Sequence, residues 1–224
     1  MSDGTILHAL LLGERHRLVA LDYNDWRSKA AQSERAAVIE DGAIPVLAWK
    51  LAELGRCAEA VRVKFGALGY PIDGHCETTI VWTERATDGT PVRCRARLDL
   101  IRGSTVYDLK STSCATDADI QRACASFGYH ISGAAYVRAL AADPLLPPGP
   151  RAFVPLFFER EPPYAVVPVR LSGEFLALGD RMWQRAIDVW AKCLSANEWP
   201  EYVSPGDPIR RIEAPAHLLA KEVA

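Results

Sequence analysis

Residues 91–101, PVRCRARLDLI, alternate between two kinds of side chain, and this alternation constrains the chain more than any other stretch. Successive side chains of a strand point to opposite faces. Val92, Cys94, Ala96, Leu98 and Leu100 therefore fall on one face, and Arg93, Arg95, Arg97 and Asp99 on the other. One face belongs to a core; the other is a basic stripe ending in a carboxylate. A turn signal at Arg102-Gly103-Ser104 leads into a strand from Thr105 to Ser111. Upstream, the Thr-, Ile- and Val-rich stretch from Cys76 to Trp82 is followed by the hairpin signal Asp88-Gly89. Together these segments predict a three-strand meander.

In the strand after the turn, Val106, Asp108 and Lys110 share a face, and Tyr107 and Leu109 share the opposite one. Pairing through the turn places Asp99 and Asp108 close across the ladder on the same side. Two carboxylates held together repel unless a divalent cation lies between them, and Mg2+ or Mn2+ suits oxygen ligands. Beside them, the Lys110 ammonium can face a metal-bound phosphate. Taken alone, D-x-K on a strand is more often a solvated face, and three alternating arginines more often an exposed face with ion pairs. The surrounding sequence shifts that balance.

Before the meander, residues 4 to about 68 read as helical. Gly4–Gly13 is apolar nearly all round, Asp25 or Ser28 can cap a helix from Ser28 to Ile39, and Pro45–Ala67 carries helical apolar spacing through Leu47, Leu51, Leu54, Ala58 and Val61. After it, the pattern predicts one helix over Asp117–Ala141, ended by the loop DPLLPPGP. Two apolar strands follow, Ala152–Glu159 and Tyr164–Leu171, joined by a Pro162-Pro163 turn, and then a helix from about Gly173 to Leu194. The Pro-containing tail after Trp199 is expected to run over the surface.

With 224 residues and 49% apolar content, the chain can bury the core of one domain over 1–224: a helical part at 1–70, a core at 76–195 and a tail at 196–224. No apolar run reaches the ~20 residues of a membrane span, and the N-terminus lacks a signal-type pattern, so a cytoplasmic protein with no membrane association is expected. A net charge of −2 excludes nucleic-acid coating by bulk basicity; any such contact must be local. The six cysteines stand singly, without C-x-x-C pairs, which argues against structural zinc, an iron–sulfur cluster or a disulfide framework. Cys94 and Cys114 read most simply as small buried hydrophobes.

The order Asp, turn, Asp-x-Lys and a Tyr-bearing helix resembles the PD-(D/E)xK nuclease superfamily, and in particular its RecE-type (exodeoxyribonuclease VIII-like) exonuclease branch. The matching pieces are GTILHALLL, HCETTIVW, RARLDLI, VYDLKSTSCAT, FGYHISGAAYV and FEREPPYAV, in this order over nearly the whole chain. The resemblance implies an α/β restriction-endonuclease-like core, with a central mixed sheet of about five strands flanked by helices. It makes Asp99, Asp108 and the Leu109 backbone carbonyl metal ligands, places His8 and Glu77 at the same site, and sets Lys110 against the attacking water or scissile phosphate. Arg93, Arg95 and Arg97 would track the DNA backbone, and Tyr129, Ser132 and Tyr136 would face site or DNA. Ser132 departs from the family, which carries Gln there, and a helical segment that usually precedes the GTxxHALLL helix is not seen before Met1.

The same resemblance implies a Mg2+- or Mn2+-dependent deoxyribonuclease of bacterial or phage origin, without an iron–sulfur cluster. It would act 5′ to 3′ on double-stranded DNA ends as a ring-shaped homo-oligomer, beside a single-strand annealing protein in phage-type recombination. An endonuclease of the same fold, in restriction or repair, and a catalytically weakened DNA-binding member are the alternatives.

Overall fold

The computed structural model describes residues 2–144, 146, 149–202, 206 and 209–214. At its centre lies a five-stranded sheet in the order β3-β4-β5-β6-β7, built from His75–Arg85, Pro91–Arg102, Thr105–Thr112, Ala152–Glu159 and Val166–Pro168. The β5–β6 pair is parallel and the other pairs are antiparallel. The mixed α/β architecture and the meander are as the sequence patterns require. Gly89 and Gly103 supply the positive φ of the two meander turns, at 88° and 58°.

Helices cover both faces of this sheet. One face packs Leu100, Leu109, Leu156 and Phe158 against α1 (Asp3–Leu11) and α3 (Ala48–Ala67), through Leu7, Leu10, Val61 and Phe65. The other packs Ile80, Leu98, Val106, Phe153 and Phe157 against α4 (Asp117–Ser126), α5 (Tyr129–Ala141) and α6 (Gly173–Ala196). Phe157 and Phe158 are neighbours in sequence and belong to opposite cores, because β6 is buried on both sides and its side chains alternate.

Several expected boundaries move. Residues 4–68 are not wholly helical: β1 (Leu18–Leu21) and β2 (Ile44–Leu47) form a parallel pair, and α3 starts only at Ala48. All four β2 residues are buried, so the strand reads as a continuous apolar run that periodicity cannot separate from a helix. Between the two strands, α2 (Lys29–Glu40) is capped by Ser28, whose hydroxyl accepts the Ala31 amide at 3.1 Å; Asp25 instead accepts the amide of Arg27. The single helix expected over 117–141 is two, broken at Phe127-Gly128, where Gly128 has φ of 67°. The last strand keeps only Val166–Pro168.

Cys94 and Cys114 are half-buried; Cys57, Cys124 and Cys193 are the buried thiols. The tail and the DPLLPPGP loop lie partly outside the described residues, and Tyr202, Ile209 and Ile212 are exposed. No helix among the described residues is long and apolar enough to cross a membrane.

Helices α5 and α6 approach so closely at Gly179 that a Cβ there would collide with the backbone carbonyl of His130. Backbone cannot yield as a flexible side chain can. Gly179→Ala is therefore expected to cost about 1–3 kcal/mol in chemical denaturation. Gly55→Ala, on α3 with open space around it, should instead stabilise by up to about 1 kcal/mol.

Candidate metal centre

Strands β4 and β5 pair only over Leu100–Arg102 and Thr105–Tyr107. Beyond that they part, while β5 stays paired with β6 along its whole length. The parting leaves the Leu109 N–H facing a gap, and a buried amide needs an acceptor. Asp99 provides it: Oδ2 accepts the Leu109 N–H at 2.9 Å.

A second irregularity lies across the sheet. The β3–β4 register runs unshifted from Thr78↔Leu98 to Cys76↔Leu100, with Glu77 and Asp99 left out of the ladder between them. Glu77 has φ of 52°, a left-handed conformation that interrupts side-chain alternation. Both strands change faces there: Ile80 and Leu98 belong to the core under α4–α6, whereas Cys76 and Leu100 pack in the core under α1 and α3. Strict alternation, which grouped Leu98 with Leu100, is thus corrected at this point, and the break turns Glu77 and Asp99 toward α1.

From α1, His8 completes the group. Its Nε2 donates to the Leu109 carbonyl oxygen at 3.0 Å, and its Nδ1 lies 3.7 Å from Asp99 Oδ2. A carbonyl only accepts, so Nε2 carries the proton and the neutral ring presents its lone pair on Nδ1. Burial, followed by the Lys110 charge, lowers the His8 pKa and favours the neutral ring that a metal needs. The Leu109 carbonyl, expected as a ligand, is engaged by His8. Among the described residues, His8, Glu77 and Asp99 offer ligand atoms all within 4.8 Å of one another. This group could bind a metal ion.

Asp108 stands outside that triad. It is 2% exposed, and its Oδ2 lies 2.5 Å from Lys110 Nζ, a charge contact without hydrogen-bond alignment. Among the described residues this oxygen is the buried side-chain atom that lacks a hydrogen bond. Burial works against the Lys110 ammonium, but the Asp108 and Asp99 carboxylates together outweigh it and raise its pKa. Asp99 is pushed up to about 7, first by burial and then by the charge of Asp108. One histidine and clustered carboxylates, carrying more negative charge than the single ammonium offsets, fit a hard divalent cation.

The triad opens onto a cleft of ≈ 440 Å³ between α1, the 3-10 turn Arg15–Arg17 and strands β3–β4. The cleft brings in Glu14 and Arg17, which the sequence reading did not single out. The cluster of charged residues in GERHR, just after an apolar helix, was the available signal. Glu14 accepts Arg17 Nη1 at 2.6 Å and Arg97 Nη2 at 3.1 Å, and Arg97 Nε also contacts Glu77. Arg97 is thereby drawn from the expected stripe into the site. Arg93 and Arg95 stay exposed on the β3–β4 arm, beside Val81 and Thr83.

On the other side of β5, Lys110 Nζ sits 4.6 Å from the centre of the Tyr129 ring. Tyr136 is half-buried against Phe153, its hydroxyl pushed up to about 12 by burial and then by Asp108. Ser132, half-buried on the same helix, does not line the cleft.

No family model matches the chain, and no curated protein matches it in sequence. Among solved structures, a protein from Eubacterium rectale provisionally named an exonuclease aligns over 96% of this chain and 79% of its own, with a TM-score of 0.55 at 14% identity. That likeness shows a shared fold. The structure of SSO0001 aligns over 91% of this chain and 98% of its own at 15% identity, but its TM-score of 0.33 carries no argument.

The Asp99 shift bears on stability. Its ordinary pKa is 3.8 and its folded value about 7, so between those pH values the folded chain holds a proton that the unfolded chain has lost. In EDTA, this group's contribution is therefore fully present below the lower value and is lost as pH rises through the upper one. Urea midpoints of the metal-free protein should show a falling component across that window, which Asp99→Asn removes. Mn2+ should raise the wild-type midpoint more above neutral pH than below it.

Proposed function

We propose that this protein is a metal-dependent nuclease that hydrolyses phosphodiester bonds in DNA. The observation that carries the reading is the convergence of His8, Glu77 and Asp99 within 4.8 Å, beside the buried Asp108–Lys110 pair and open to a cleft. The fold shared with a protein provisionally named an exonuclease adds support. The cation is Mg2+ or Mn2+, held by His8 Nδ1 and the Glu77 and Asp99 carboxylates, with Asp108 adjoining them. When bound, such an ion acidifies a water and neutralises phosphate charge.

The chain's own groups do the rest. Lys110 is kept protonated by Asp108 and is steadied by the Tyr129 ring, so it presents fixed positive charge toward a scissile phosphate. Burial and then the Lys110 charge keep His8 neutral, and the Nε2 proton donated to Leu109 leaves the lone pair on Nδ1. Asp99 is fastened to the β5 backbone and cannot swing away as substrate enters. Arg93 and Arg95, exposed on the arm that leads from the cleft, contact the phosphate backbone without reading sequence.

The finer reading, from the RecE-type resemblance, is a 5′ to 3′ exonuclease on double-stranded ends. With it come a homo-oligomeric ring and a single-strand annealing partner in phage-type recombination. The presence of Asp99, Asp108, Lys110 and His8 together favours an active enzyme over a DNA-binding relative. Purified protein with end-labelled linear duplex and Mg2+ tests this: nucleotides should be released from linear DNA, closed circular DNA should stay intact, and EDTA should stop the reaction. Nicking of the circle with the linear duplex spared would identify an endonuclease. Lys110→Ala should lower the hydrolysis rate about 10²- to 10³-fold while Mn2+ binding by calorimetry persists. A variant that hydrolyses DNA at the wild-type rate would remove Lys110 from the mechanism.

A further inference from the structure

We infer that Arg97 is a positioning residue that neutralises Glu77 in the absence of DNA and transfers to a DNA phosphate when cation and substrate arrive, with Glu14 as its pivot. This rests on the nuclease reading of the site. The guanidinium spans two carboxylates: Nε contacts Glu77 Oε2, and Nη2 donates to Glu14 Oε1 at 3.1 Å. Glu14 is in turn braced through its second oxygen by Arg17 at 2.6 Å. Glu77 is thus claimed twice, as a member of the metal group and as the partner of Arg97.

A divalent cation among His8, Glu77 and Asp99 would face the Arg97 charge across a shared carboxylate, and like charges there repel. A phosphate relieves the conflict. The planar fork that now bridges Glu77 and Glu14 also matches two phosphate oxygens, and the Arg97 side chain is 49% exposed along the cleft. The Glu14 carboxylate, itself only 23% exposed, keeps the guanidinium at the site after it leaves Glu77. The φ of 52° holds Glu77 out of the β3–β4 ladder, where its carboxylate can exchange Arg97 for a cation without disturbing strand pairing. Cation and phosphate then strengthen each other's binding, and the coupling must be reciprocal. A merely structural ion pair would produce no such coupling.

Calorimetric titration of Mn2+, with and without a blunt duplex oligonucleotide, tests this in the Lys110→Ala background. Without DNA, adding Arg97→Gln is expected to tighten Mn2+ binding by about fivefold or more. Duplex should tighten Mn2+ binding to the parent by a similar factor, but by less than about twofold once Arg97 is glutamine. Glu14→Gln, which frees the pivot, should also diminish the DNA effect. Arg97→Lys keeps the charge without the fork; it should lose the DNA effect too, and it serves if the glutamine variant fails to fold. Unchanged or weaker Mn2+ binding in a folded Arg97→Gln protein would overturn this role and leave the nuclease reading standing. Absence of Mn2+ binding in the parent, with and without duplex, would overturn the metal reading itself.

Discussion

The hydrogen bond from the Leu109 amide to Asp99 organises the rest of the site. Strands β4 and β5 separate after Leu100 and Tyr107, and without this carboxylate the separation would strand a buried donor, at a cost of about 1–3 kcal/mol. The same bond fixes Asp99 over β5, so the residues before and after Leu109 are placed with it. Asp108 and Lys110 project to one side, and the Leu109 carbonyl anchors His8 on the other. A single backbone register therefore locates groups from α1, β4 and β5.

Electrostatics and packing then oppose each other. The surrounding apolar side chains are what allow the sheet to carry helices on both faces, yet they remove water from Asp99 and Asp108. A buried carboxylate is costly, and the second one nearby makes it more so. Lys110 offsets part of that charge and leaves Asp108 Oδ2 without a hydrogen bond. A site arranged in this way is poised to accept positive charge, at the expense of some stability when none is supplied.

Legibility in the sequence followed the strength of periodic signals. The meander could be read because its strands are long, alternate in polarity and are joined by glycine turns. The α4–α5 break was hidden because the apolar spacing continues through Phe127-Gly128 and only the left-handed glycine interrupts the helix. Strand β2 was hidden because four buried residues have no periodicity to show, and β1 because four residues are too few to establish a period. Asp99, Asp108 and Lys110 stood out by spacing, and His8 and Glu77 by resemblance. Glu14 and Arg17 had neither, since they join the cleft only through contacts with Arg97, distant in sequence.

By itself the sequence determined the three-strand meander, the face shared by Asp108 and Lys110, and the chemistry of the available donors, because all three follow from local alternation, turn signals and side-chain type. Only the tertiary structure decided which donors meet. The face change at Glu77 and Asp99 breaks the parity rule on which strand reading depends, and it turns both carboxylates toward His8. The capture of Arg97 by Glu14 and Glu77 likewise separates it from Arg93 and Arg95, with which it shares a strand face. Those outcomes depend on where the strands part and on what lies across the gap, and no local pattern encodes either.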